Sequence, residues 1–365
     1  MWQRIQKSFR ILRMHLRAMC HISGYKEGGS MKSRKFIALA IALFMAAGLV
    51  ACGSTSKSAG KSSGKNDSDA ADTVEFLVPD ATEGARKAFT NALKAQAEKK
   101  DMKLVTDMSG ADVDSQVKKI ELAQKAGYGG LIVWASDSST AHQLEIAAGD
   151  MPIVFVNSEP DEDDLEEGKY VYVGSPDDKA GEYDAEYVYN KLGKPSSLKL
   201  VLLKGKRGAA STENRADAVK RYFASKKVDV DYVFSDYGDD SSADTFLMLK
   251  SFKLTGQTFD AIICTSDEMA LGALQYAKMN GVDTSSVPIC GVGGANDAVA
   301  KVATGDLAFT AGADSNGQAE AAVAAMQALL NGDSIKDIKN ASKDGKYIWI
   351  PYRKIDQKSA GKYLQ

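Results

Sequence analysis

The sequence predicts an α/β protein of two doubly wound parallel-sheet lobes, and three observations carry that prediction. Short apolar runs alternate with longer segments of helical spacing, the first four runs and the next four are offset by about 125 to 135 residues, and polar residues cluster just after each run. Strand alternating with helix means parallel strands covered by helices on both faces. A repeated offset of that size reads as two similar halves, and polar clusters after the strands mark where such sheets collect ligands.

Taken in order, the runs are Val74 to Val78, Leu104 to Val105, Leu131 to Trp134 and Ile153 to Val156, then Leu200 to Leu203, Val228 to Phe234, Ala261 to Cys264 and Val287 to Cys290. Between them, Ala85, Ala88, Phe89, Ala92 and Leu93 recur at three and four, as do Val117, Ile120, Leu122 and Ala123, and again Ala270, Leu271, Leu274, Tyr276 and Ala277. That spacing puts each set on one helical face.

The chain has 365 residues, 44% hydrophobic and 26% charged, which fits two globular domains at roughly 100 to 200 residues each and excludes collagen-like, disordered and multispan classes. The net charge of -2 averages two unlike parts. Met1 to Cys52 holds nine Lys+Arg against one Asp+Glu, leaving 37 basic and 47 acidic residues after Cys52, a net of about -10. An acidic body argues against nucleic-acid binding, which draws its affinity from phosphate neutralisation.

From Met31 the chain reads Met-Lys-Ser-Arg-Lys, then an apolar run from Phe36 to Val50, then Ala51 and Cys52. A basic start, an apolar stretch of about 15 residues and small residues at a cleavage point make a secretory signal. Leu49-Val50-Ala51-Cys52 resembles the lipobox of bacterial lipoproteins, which implies lipid attachment at Cys52 and a membrane anchor. A signal normally starts a chain, so Met31 is the expected start. Gly53 to Asp72 is Gly, Ser, Ala and Lys with Asn and Asp, a flexible tether. Two cysteines remain in the body, Cys264 and Cys290, each ending a strand-like run and expected as buried thiols.

The residues after the runs are rich in carboxylates, amides and hydroxyls: Pro79 to Glu83, Ala135 to Asp137, Asn157 to Pro160, Gly205 to Arg215, Ser235 to Tyr237, Thr265 to Glu268 and Gly291 to Gly294. Asp137 and Asp267 also suit helix N-caps. At these positions the body resembles the type I periplasmic sugar-binding proteins of ABC importers, most closely the galactose/glucose-binding and ribose-binding proteins, over about Thr73 to Leu364. The motifs are Val154 to Pro160, Val171 to Ser175, Leu202 to Gly205 with Glu213-Asn214-Arg215, Ser266 to Ala273, and Ile350-Pro351-Tyr352.

The resemblance implies two lobes joined by a hinge of three crossings, near Gly174 to Pro176, Ala313 to Asp314 and Ile350 to Pro351. The implied organisation is leader and lipoprotein signal at 1–52, tether at 53–72, one lobe at 73–175 plus 314–350, and the other at 176–313 plus 351–365. It implies sugar-hydroxyl ligands at Asn157 and Arg215, with Asp80 in the first loop. Thr82, Glu83, Ser266, Asp267 and Asp314 complete the candidate set. Planar amides, carboxylates and a forked guanidinium suit adjacent hydroxyls that donate and accept.

The sequence also departs from that family. Gly293 stands where relatives have Asp, Ala313 followed by Asp314 where they have Asn or Gln, Ser266 where they have Asn, and Ala209 and Ser211 at the galactose-type His and Asp positions. No aromatic occupies the first loop, so Trp134 and Tyr237 are the candidate sugar-stacking rings, Trp134 being equally suited to the core. The galactose-type calcium loop is missing, since Lys194 to Ser197 leads directly into the next strand.

No other chemistry competes. Gly291, Gly293 and Gly294 lack the third glycine of a dinucleotide loop, where Asn296 stands. Lys204 to Gly208 lacks the Gly-Lys-Ser/Thr ending of a phosphate loop. His142 is the only histidine after the leader, which excludes His-rich metal sites and Ser-His-Asp triads. Asp161 to Glu167, six acids in seven residues, reads as a solvated loop in preference to a cation site. The expected protein is a non-enzymatic, monomeric solute-binding lipoprotein without cofactor or metal, partnered by an ABC permease and a sugar-like ligand. The alternative is a sensory module that presents its closed form to a chemoreceptor or membrane histidine kinase.

Overall fold

A computed structural model describes residues 70–81 and 84–364. The leader, Cys52, residues 53–69 of the tether, and two site candidates, Thr82 and Glu83, lie outside the described residues. All described residues belong to the unit Ser63–Gln365.

Two six-stranded sheets organise this unit. The first contains β1 (Thr73–Val78), β2 (Lys103–Met108), β3 (Gly130–Val133), β4 (Ile153–Val156), β5 (Tyr170–Gly174) and β11 (Tyr347–Trp349), in the order β11-β5-β4-β3-β1-β2. The second contains β6 (Ser197–Lys204), β7 (Asp229–Tyr237), β8 (Ala261–Cys264), β9 (Ile289–Gly293), β10 (Phe309–Gly312) and β12 (Arg353–Asp356), in the order β12-β10-β9-β8-β6-β7. Every neighbouring pair is parallel except β10 with β12. The two orders are the same once each lobe is numbered from its first strand, so the repeat read from the offset is a repeat of topology.

Strands buried on both faces need apolar residues at every position, and β1, β3, β4 and β5 are buried throughout. Their side chains alternate between two layers. Val74, Phe76, Val78, Ile132, Val154 and Val171 pack under α1 (Gly84–Lys99) and α9 (Ser315–Leu330). Leu77, Leu131, Val133, Ile153, Phe155 and Tyr172 pack under α2 (Val113–Ala126) and α3 (Ala141–Ala148). The second sheet repeats this, with α4 (Asp177–Lys191) and α5 (Ala210–Ser225) on one face and α6 (Ser242–Lys253), α7 (Asp267–Asn280) and α8 (Asn296–Thr304) on the other. Each fully buried Leu, Ile or Phe contributes roughly 1.5 to 3 kcal/mol, so each lobe holds a core of its own.

The chain passes between the sheets three times: from β5 to α4, from β10 to α9, and from β11 to β12. Hydrogen bonds brace the passages. Ile350 N donates to Gly174 O at 2.8 Å, and Gln318 Nε2 donates to Ser175 Oγ at 2.9 Å. Asp314 adds an ion pair with Arg353 at 2.5 Å, joining the start of α9 to β12.

The apolar runs foreshadow eight strands. Strands β5, β10, β11 and β12 are not among them: β5 enters the sequence reading only through the motif Val171 to Ser175, Phe309–Gly312 contains Thr, Ala and Gly, β11 is three residues long, and β12 is a charged antiparallel edge. Cys264 and Cys290 are both buried and free on adjacent strands, and burial raises each thiol well above its ordinary pKa. Among the described residues no helix is long and apolar enough to cross a membrane.

Candidate ligand-binding site

In an open sheet of this order the connections leave in opposite directions on either side of the first strand, opening a crevice at the carboxyl ends. Here the crevices follow β1 and β3 in one lobe and β6 and β8 in the other. The two edges approach each other: Glu268 Oε1 in α7 lies 3.0 Å from the point that a Cβ on Gly84, at the start of α1, would take.

The first wall is built by Asp80, Arg86, Trp134, Asn157 and Glu159. Arg86 Nη1 bonds Asp80 Oδ2 at 2.6 Å and its guanidinium lies 5.9 Å from the centre of the Trp134 ring. Trp134 meets Phe89 edge-on at 5.7 Å and packs against the apolar layer, so one side of the ring is core while another faces the cation. Buried Gln116 holds the loop after β3, donating to Trp134 O at 3.1 Å and accepting from Ser136 N at 3.0 Å. Asn157 takes φ 61° at the end of β4, a left-handed conformation that Asn tolerates better than most residues. That turn is held by Ser158 Oγ donating to Ala135 O at 2.8 Å. Burial, with the charges of Asp177 and Asp178 next, raises Glu159 to about 7.

The second wall centres on Arg215 of α5. Its Nε donates to Asp177 Oδ1 at 2.8 Å, Nη1 to Thr265 O at 2.8 Å, and Nη2 to Tyr352 Oη at 3.1 Å. Tyr352 Oη in turn donates to Asp177 Oδ1 at 2.9 Å. Burial opposes the guanidinium charge, but Asp177 outweighs it and holds the pKa above its ordinary value. The guanidinium plane is thereby locked before any ligand arrives, with its side chain still 20% exposed.

Three candidates serve the scaffold instead of the crevice. Asp267 is 1% exposed; its Oδ2 accepts from Ala295 N at 2.8 Å and its Oδ1 from Thr310 Oγ1 at 2.7 Å. It therefore braces the β9–α8 turn and does not cap its own helix, and burial raises its carboxyl to about 6. Gly293, at φ 141° and with Asp267 Oδ2 3.2 Å from where its Cβ would be, leaves room for that brace. Asp314 is an N-cap, accepting from Gly317 N at 2.9 Å while paired to Arg353. Tyr237 donates to Glu213 Oε1 at 2.6 Å, and Lys204 Nζ and Arg207 Cζ lie 3.6 and 3.8 Å from its ring centre, so cations occupy the ring that a sugar would need.

Among the buried side-chain polar atoms that lack a hydrogen-bond partner in the described residues, three belong to residues of these walls: Arg86 Nε, Asn157 Nδ2 and Ser266 Oγ. Desolvating such an atom without a partner costs about 1 to 3 kcal/mol, a cost that a hydroxyl-bearing ligand can offset. Arg86 was not foreseen from sequence. A cation in the first turn of a helix opposes the macrodipole, and that breach of a local rule is the cue that could have found it. Asp177, Tyr352, Glu159 and Glu268 lay inside or beside the quoted motifs without being assigned a role.

Comparison with known proteins bears on the fold and the family. Over 279 residues the chain is 25% identical to the D-galactose/methyl-galactoside binding periplasmic protein MglB of Haemophilus influenzae, covering 72% of this chain and 83% of that protein. It is also 25% identical over 301 residues to a xylitol-binding protein of Mycolicibacterium smegmatis, covering 81% and 82%. The fold superposes on an ABC transporter periplasmic solute binding protein from Actinobacillus succinogenes crystallised with D-allose, with TM-score 0.70, 18% identity, and coverage of 80% of this chain and 99% of the other. A family model described as periplasmic binding protein domain matches residues 74–334. The chain belongs to the periplasmic binding protein family, whose members are extracytoplasmic solute-binding proteins and not enzymes.

Proposed function

We propose that the protein is the substrate-binding component of an ABC importer, taking a monosaccharide or related polyol between its two lobes and presenting the closed form to the permease. The observation that carries this reading is the pre-locked Arg215 on one wall together with the unpartnered Asn157 amide and Ser266 hydroxyl and the Trp134 ring, a set of forked donor, amide, hydroxyl and ring suited to a polyhydroxylated ligand. Relatives named for galactosides and xylitol, and a neighbour crystallised with D-allose, support the same ligand class. A ligand bridging both lobes stabilises the closed form through its differential affinity for it.

The departures at Gly293, Ala313 and Ser266 argue against an unchanged galactose site, because each lost charge-assisted bond removes roughly 1.5 to 3 kcal/mol. The proposal includes lipid anchoring through Cys52, with the acidic body held near the membrane as a monomer. It does not favour the sensory reading, since the relatives compared are named for binding and transport. Mass spectrometry of solute co-purified with the protein, followed by calorimetry against sugars, polyols and nucleosides, tests it. Saturable binding of a sugar or polyol is expected, and binding of nothing in the panel would sink the reading.

A further inference from the structure

Outside the crevice, on the far side of the first sheet, His142 and Glu145 stand three residues apart on α3 and meet Asp164 from the acidic loop. His142 Nδ1 lies 3.6 Å from Glu145 Oε2 and 3.9 Å from Asp164 Oδ1, and all three ligand atoms fall within 4.8 Å of one another. A tetrahedral cation with ligands at about 2.1 Å separates them by roughly 3.4 Å, so the cluster needs only a small contraction to close on one ion.

A second observation sets this cluster apart from a solvated run of acids. Glu145 is 8% exposed, and its Oε1 has no hydrogen-bond partner among the described residues. A carboxylate held out of water with one oxygen unused is costly unless something cationic meets it. His142, 71% exposed on its side chain, closes the site from the solvent side.

We infer that His142, Glu145 and Asp164 form a binding site for a divalent transition-metal cation of the Zn2+ class. One imidazole nitrogen and two carboxylates suit a borderline ion and not Ca2+, which prefers oxygen alone. Three protein ligands leave at least one coordination position for water. The consequence is mechanical. The loop of residues 157–169 joins β4 to β5 and carries Asn157 at one end and Asp164 farther along, so an ion here fastens the ligand-binding loop to α3.

The test is calorimetric titration of the EDTA-stripped full chain with zinc chloride, in parallel with thermal unfolding with and without the ion. Histidines and cysteines of the leader provide a background common to all variants. The native chain should take up one equivalent more than Glu145→Gln, Asp164→Asn or His142→Ala, or bind that equivalent at least about 10-fold more tightly. Zn2+ should raise its unfolding temperature more than theirs. His142→Ala alters an exposed side chain and keeps the fold, which guards against a variant that merely unfolds. Equal stoichiometry, affinity and thermal shift across all four proteins would overturn the site, and so would a variant that changes stability alone while Zn2+ affects every protein alike, the mark of an ion pair only.

Discussion

The two walls of the crevice solve the same problem in opposite ways. On the second wall Arg215 is satisfied on three sides by Asp177, Thr265 O and Tyr352, all within its own lobe. On the first wall Arg86 pairs with Asp80, with both side chains partly exposed at 33% and 44%, and among the described residues its Nε and Asn157 Nδ2 are buried without a hydrogen-bond partner. One wall is rigid without ligand, so it can position a solute at little ordering cost; the other keeps atoms whose desolvation only a ligand relieves. Such an asymmetry favours binding to the second wall first, followed by closure of the first.

The largest expected effect breaks the rigid wall. Asp177→Ala leaves Arg215 buried without its carboxylate and should cost about 3 to 5 kcal/mol, read as a fall in the midpoint of urea unfolding. A loss under 1 kcal/mol would mean that Arg215 is solvated and the wall is not pre-locked. Arg215→Ala should weaken ligand binding by more than about 1.5 kcal/mol, roughly tenfold in Kd by calorimetry.

Asn157→Gly separates the two costs on the first wall. Glycine relieves the left-handed φ of 61°, so stability should hold or rise by a few tenths of a kcal/mol, while affinity falls by about 1 kcal/mol or more. Loss of both together would make Asn157 a scaffold residue.

The pH dependence sharpens the contact between walls. Glu159 has its folded pKa raised from 4.5 to about 7, so between those values the native state binds more protons than the unfolded chain. Its contribution is therefore fully present below about 4.5 and lost as pH rises through about 7. Subtracting the unfolding profile of Glu159→Gln from that of the native chain should leave a stability difference that declines over this window, by at most one proton of slope. A flat difference would mean that Glu159 is neither desolvated by burial nor close to Asp177 and Asp178. The smallest effect belongs to Asp80→Asn, which breaks a partly exposed pair and should change stability by less than about 1 kcal/mol.

Legibility in the sequence differed by level. The apolar runs located the inner strands other than β5 and β10, because a strand buried on both faces must be apolar at consecutive positions, and Ile153 to Val156 is an example. Polar residues after those runs marked the crevice, and Asn157 and Arg215 were legible there as an amide and a guanidinium with no capping role. The edge strand β12, Arg353–Asp356, was not, since a charged antiparallel edge carries no apolar signature.

By itself the sequence determined the class of fold, the doubling of the lobe and the stock of polar groups at the strand ends, because these follow from local periodicity and from where runs stop. Only the tertiary structure decided which of those groups remain for a ligand. Asp267 is claimed by Thr310, Asp314 by Arg353 and Tyr237 by Glu213, while Arg86 enters the crevice unannounced. A hydrogen bond is settled by what stands within about 3 Å, and in a parallel sheet those neighbours come from distant segments that no local pattern encodes.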